Sequence, residues 1–197
     1  NGLSRVYLNS DLIESTVAAG LSDTTDALPG TEVQLLAIGV TAPSGETLTG
    51  VQFTLYDAQD LVDIGGGLFT PFASGFTAAD IASLKLYRSS DAILGGDTEI
   101  GSQSTVYLDS VTTVSPSSSE TLSSSEMFYI VSAVLSASAV PGHSLRVGFA
   151  TGDFQTSGVD IGTEVIASDS ARVTVGLQST AQSPAHATVA ASRSTNL

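Results

Sequence analysis

An antiparallel β-sandwich of eight or nine strands is the fold this sequence predicts, on three observations. Runs of strand length recur along the 197 residues, several with apolar side chains at every second position. Clusters of Gly, Pro, Ser and Asp punctuate those runs. Helical periodicity is nearly absent. A chain of 20.0 kDa is long enough for one domain with a proper core, burying roughly 70% of its unfolded surface.

Taken in order, Arg5, Val6, Tyr7 and Leu8 make a candidate opening strand. Residues 11–19 hold the one helical candidate, with Asp11 as cap and Leu12, Ile13 and Val17 as a stripe. Ile and Val fit a strand equally well, so both states stay open there. Residues 33–41 are a continuous apolar run of strand length. From 48 to 55 the alternation is clean, with Val51, Phe53 and Leu55 against Gln52 and Thr54. Ala82, Leu84 and Leu86 alternate with Ser83, Lys85 and Tyr87, and Val106 with Leu108 marks a short strand. Residues 127–135 are apolar on both faces, the pattern of a central strand. Leu145, Val147 and Phe149, then Val173 and Val175, supply the last alternations. The sandwich is expected over 29–177. Residues 1–28 form an N-terminal extension with a linker-like stretch from Gly20, and 178–197 a polar Ala/Ser/Thr-rich tail. Either end is a frayed terminus or a strand exchanged with a neighbouring sheet. The N-terminal one is the better candidate for exchange, because it alternates and the tail does not.

Charge narrows the function. Six Lys and Arg against 20 Asp and Glu leave a net charge of −14, with pI ≈ 4.1. One lysine and five scattered arginines cannot neutralise a run of phosphates, so no nucleic-acid partner is expected, and an anionic membrane surface is disfavoured alike. No stretch reaches the ~20 apolar residues of a membrane span. Cysteine is absent, which removes disulfides and thiol chemistry. A Ser/Thr-rich, Lys-poor, acidic composition fits an extracellular, cell-surface protein, and the opening Asn1-Gly2 reads as a chain whose secretory leader has been removed.

Several segments carry a family resemblance. Val33-Gln34-Leu35-Leu36-Ala37-Ile38 is followed by Leu48-Thr49-Gly50-Val51-Gln52-Phe53-Thr54-Leu55, then by Ala79-Asp80-Ile81-Ala82-Ser83-Leu84-Lys85-Leu86-Tyr87-Arg88. An acidic turn ends in Asp97-Thr98-Glu99-Ile100-Gly101, and Phe128-Tyr129-Ile130-Val131-Ser132-Ala133 runs on into Ala139-Val140-Pro141-Gly142-His143-Ser144. From 29 to 161 this order resembles an immunoglobulin-like module of secreted bacterial and archaeal surface proteins. The resemblance implies an immunoglobulin-like or jelly-roll-type sandwich with an adhesive, scaffolding or structural role and no active site. In that class the turn after the Leu-Tyr strand is often a calcium-type loop rich in Asp and Asn. Here it keeps only Asp91 and Asp97, with Glu99 beyond.

Calcium takes about six to eight oxygen ligands, several from one compact loop. Asp91, Asp97 and Glu99 are the first candidates, ahead of Asp57/Asp60/Asp63 and Asp153/Asp160, and none of these clusters has the full alternating acidic pattern. No other cofactor is implied. Of the two histidines, His143 sits in a tight turn and His186 in the tail, so a nucleophilic triad has little to build on. Trp is absent and aromatics total 6%, which weakens both sugar hydrolysis and sugar binding. Gly65-Gly66-Gly67 has no following Lys-Ser and reads as a turn, and the Ser/Thr block at 115–125 reads as a solvated loop.

The expectation is therefore a non-enzymatic, extracellular structural subunit that assembles with copies of itself into a filament or surface layer. Its low-charge surface of small polar side chains loses little entropy on packing. The alternative is a glycan- or protein-binding, adhesin-like module.

Overall fold

The computed structural model describes residues 4–7, 14–17, 24–42, 45–57, 59–63, 69–73, 75–149, 153–158 and 172–175. In chain order its strands are β1 (Ser4–Tyr7), β2 (Glu14–Val17), β3 (Thr24–Ala27), β4 (Glu32–Thr41) and β5 (Thr47–Asp57). A hairpin follows, β6 (Gln59–Asp63) with β7 (Phe69–Ala73), and then β8 (Ile81–Ser89) and β9 (Thr98–Gln103). The remainder are β10 (Val111–Val114), β11 (Glu120–Thr121), β12 (Met127–Leu135), β13 (Ser144–Gly148), β14 (Phe154–Thr156) and β15 (Arg172–Val175). Among the described residues the only helix is a single 3-10 turn, Ala78–Asp80.

Two large sheets face each other. The first has the order β1-β2-β4-β12-β8-β9, and every neighbouring pair in it is antiparallel. The second runs β10-β5-β13-β15-β3, antiparallel except for the parallel edge pair of β15 with β3. β5 is long enough to take two short partners on each side, β10 and β11 on one, β13 and β14 on the other. β10 lies against β8 and β9, which puts those edges on one flank. The N-terminal strands β1 and β3 are therefore the edge strands of the opposite flank, one on each sheet. Among the described residues β6 and β7 pair only with each other.

Alternation puts Val51, Phe53 and Leu55 of β5 into the core opposite Leu84, Leu86, Val131 and Ala133. The Tyr129 ring meets Phe154 across the layers at a 5.3 Å centroid distance. In β4 the neighbours Leu35 and Leu36 are both core residues, which strict alternation forbids. A register slip explains it: Val131 pairs with Leu36 but Ser132 with Gln34, so Leu35 is the extra residue of a bulge. β12 is buried on both faces, as its sequence predicts. Its outer-face Ile130 packs with Ala37 and Tyr87 in a second small cluster, against which Ala92 and Leu94 of the following turn rest.

The helical alternative for residues 11–19 gives way to a strand at Glu14–Val17, because β4 offers an edge to pair with. Asp11, Leu12 and Ile13 lie outside the described residues. The 115–125 block is not solvated throughout: Glu120 and Leu122 are buried, and β11 pairs with β5. Gly101 of β9 lies so close to the Ser115 carbonyl that a Cβ there would collide with backbone. The tail at 178–197 lies outside the described residues, as do His186, Asp160 and Gly65–Gly67.

Candidate functional site

The candidate assembly strand is part of the first sheet. Arg5, Val6 and Tyr7 fall in β1, and Leu8 lies outside the described residues. β1 pairs with β2 over four positions, and β2 pairs with β4 over Thr41, Val40, Gly39 and Ile38. Residues 32–37 of β4 have no strand partner on that side among the described residues. Among the described residues the chain thus supplies its own edge strand for part of the edge only.

The candidate metal residues sit on the turn between β8 and β9 and at its exit. Asp91 Oδ1 accepts from the Ile93 N–H at 2.9 Å and Asp97 Oδ2 from the Gly95 N–H at 2.8 Å, so both carboxylates brace the turn they belong to. Gln34 of β4 fastens the turn onto the first sheet from outside. Its amide donates to the Ala92 carbonyl and accepts from the Leu94 N–H, each at 2.8 Å. Glu99 is not gathered with the two aspartates but faces Lys85 Nζ at 3.2 Å. Among the described residues no three His, Asp or Glu side chains converge. Asp57 caps Gly75 and Phe76 through their N–H groups, and the side chains of Asp60 and Asp63 are outside the described ones.

Lys85 belongs to a polar network across four strands on the outer face of the first sheet. Tyr87 donates to Glu32 Oε1 at 2.7 Å, Ser132 donates to the same oxygen at 2.5 Å, and Lys85 stands 3.5 Å from Glu32 Oε2. Burial raises the Glu32 carboxyl, but these bonds outweigh it and hold the group below its ordinary value. Its partners move the other way. Bonds to Tyr87 and Glu99 push Lys85 upward, while burial and Glu32 raise Tyr87.

A second polar group lies between the sheets. Glu120, 7% exposed, receives Arg88 Nη1 at 3.2 Å and the Tyr129 hydroxyl at 3.4 Å. Burial first, and Glu120 second, raise Tyr129. At one end of the sandwich buried Asp80 collects the Thr77 and Val140 N–H groups and His143 Nδ1, the last at 3.0 Å. Burial works against its charge, yet those hydrogen bonds keep Asp80 below the usual carboxylate range. His143 is thus a turn residue that joins two loops, with its N–H accepted by Val140.

Reading the sequence alone missed Glu32, Gln34, Asp80 and Glu120. Glu32, Gln34 and Asp80 are isolated polar residues in or beside apolar runs, and that position was their only signal; Glu120 stands in a Ser/Thr run and gave none.

No family model matches the chain, and no curated protein matches it. Several solved structures are similar to it at a distance, two of them as follows. One is a family 123 glycoside hydrolase from Clostridium perfringens, at 10% identity over 79% of this chain with a TM-score of 0.29. This chain spans about a quarter of that enzyme's length, 23%. The other is the sixth cohesin of scaffoldin B from Acetivibrio cellulolyticus, in complex with a Cel5 dockerin. It shows 14% identity over 78% of this chain and 94% of the cohesin, with a TM-score of 0.27. Scores this low say nothing of function.

Proposed function

We propose that the chain is an immunoglobulin-like, extracellular, non-enzymatic structural subunit that assembles with copies of itself, exchanging its N-terminal strands between neighbours. One observation carries the reading: β1 and β2 are an add-on to a sheet edge, and among the described residues their only strand pairing to the sandwich is with residues 38–41 of β4. A strand attached by so short a ladder is replaceable by the same strand of another copy at little cost. Residues 18–23 connect β2 to β3, and six extended residues reach about 20 Å, enough to cross a subunit boundary. Composition supports the setting, since lysine, a common guard of sheet edges, occurs once.

Electron microscopy of the full chain and of a chain lacking residues 1–20 tests this. Filaments or sheets from the full chain, with a folded but dispersed truncated chain, are the expected result. A truncated chain that polymerises normally overturns the exchange, and a full chain that stays monomeric at high concentration overturns self-assembly. Calcium and chelator arms accompany both samples, because Asp91 and Asp97 put two carboxylates on one turn; loss of assembly in chelator assigns the ion to a contact. The second reading, a glycan- or protein-binding module, draws on the exposed rings of Tyr56 and Tyr107. It predicts a monomer with saturable binding to a polysaccharide.

A further inference from the structure

The outer faces of the two sheets carry complementary features. On the second sheet, Tyr56 of β5 is 41% exposed. Its ring lies over Gly148 of β13, where an added Cβ would sit 2.8 Å from Tyr56 Cε2. Glycine at 148 thus lets the ring lie down on the sheet with its other side open. Val111, 58% exposed, stands opposite Thr54 in the next row of the same face. Directly across from Tyr56 is Arg146, and the next register position is Arg172 of β15. Arg146 is one of only six cations in a chain of net charge −14. Lys85 and Arg88 are each paired with carboxylates, whereas Arg146 is exposed and has no ion pair among the described residues. The face is a small apolar spot with a positive border on a negative molecule.

The opposite face carries the counterpart. Ile93 stands at the apex of the turn that Gln34 ties onto the first sheet, and at 74% it is the most exposed large apolar residue described. Asp91 and Asp97 flank it, each bonded to an N–H of their own turn and, among the described residues, in no ion pair. An apolar knob with an acidic border thus projects from one face, and an apolar spot with a cationic border lies on the other. Burial of the apolar centre with charge pairing at its rim is how specific interfaces are built.

We propose that the Tyr56–Arg146 face of one copy receives the Asp91–Asp97 turn of a second copy, so that subunits stack front to back. This rests on the self-assembly reading and adds to it a contact separate from the strand-exchange edge. Because knob and spot are different surfaces on opposite sheets, the contact is heterologous. It leaves a free knob at one end and a free spot at the other, so it propagates rather than closing as a two-fold dimer.

Charge exchange in the full chain tests the pairing, with assembly followed by light scattering and electron microscopy. Arg146→Glu and Asp91→Arg should each raise the concentration needed for assembly about tenfold or more, and the two together should restore it. Ile93→Ser, which keeps the backbone bonds of the turn, should weaken assembly without changing the melting temperature. Assembly unaffected by Arg146→Glu and Ile93→Ser overturns this contact alone, as do single variants that fail with no recovery in the double. Glycan binding lost in Tyr56→Ala with assembly intact also overturns it. A wild-type chain that never assembles overturns the self-assembly reading, and this contact with it.

Discussion

Glu120 is a carboxylate placed between two sheets, 7% exposed, with an arginine and a tyrosine of the first sheet turned towards it. Removing its side chain strands the Tyr129 hydroxyl in the core and frees Arg88, whose side chain is 42% exposed and regains water. The cost is therefore below that of breaking a fully buried pair, about 2 kcal/mol for Glu120→Ala. Tyr129→Phe gives up only a long 3.4 Å bond and leaves Arg88 on Glu120, so about 0.5 kcal/mol is expected. Urea denaturation of both variants checks the order; equal losses would mean that Tyr129, not Arg88, is the partner that matters. Little of this was legible in the sequence. Glu120 stands in a Ser/Thr run that reads as solvent-facing, because burial there depends on β11 finding β5 some 70 residues earlier in the chain. Phe53 and Leu55 were legible, since alternation alone sets the face of a strand.

Among the elements, the turn after β8 is held by contacts far away in sequence. Gln34 makes two hydrogen bonds to it, and Ala92 and Leu94 rest on the Ala37–Tyr87–Ile130 cluster. Gln34→Ala should remove roughly 1–2 kcal/mol at two bonds of about 1 kcal/mol each. The loss is local. The amides of residues 92–95 should exchange faster with deuterium while those of β12 keep their protection. If the turn seats in a second copy, the same substitution should also weaken assembly; faster exchange throughout the sheet would show instead that the turn is part of the global folding unit. The acidic character of this turn could be read from Asp91 and Asp97, but its anchoring could not. Gln34 looks like a stray polar residue in an apolar run until the bulge at Leu35 is known. Strand against helix at 14–17 was undecidable for the same reason, because the deciding partner, β4, is non-local.

For the whole molecule, charge sets a pH profile whose two limbs have different owners. Glu32 and Asp80 are held below their ordinary values, because burial, which raises both, is outweighed by hydrogen bonds. A depressed carboxylate contributes in full above the unfolded pKa of about 4 and loses that contribution as pH falls through its folded value. Lys85, Tyr87 and Tyr129 are raised, by bonds to Tyr87 and Glu99 in the first case and by burial in the other two. Their contribution is complete below about pH 10 and is lost as pH rises beyond it. Between these limits the five groups give a plateau. Superimposed on it is self-repulsion from a net charge of −14, which relaxes as pH falls towards the pI of ≈ 4.1. The melting temperature should therefore peak at about pH 5, decline gently towards pH 9, and fall steeply below about pH 3.5 and above about pH 10. Added salt separates the causes. At 0.5 M it should flatten the gentle decline, since long-range repulsion is screened, and leave the steep acid limb in place, since Glu32 and Asp80 are held by short contacts. Calorimetry from about pH 3 to about pH 11 at two salt concentrations measures this. An optimum at neutral pH that salt does not move would mean that the network around Lys85, rather than net charge, governs the stability of the sandwich.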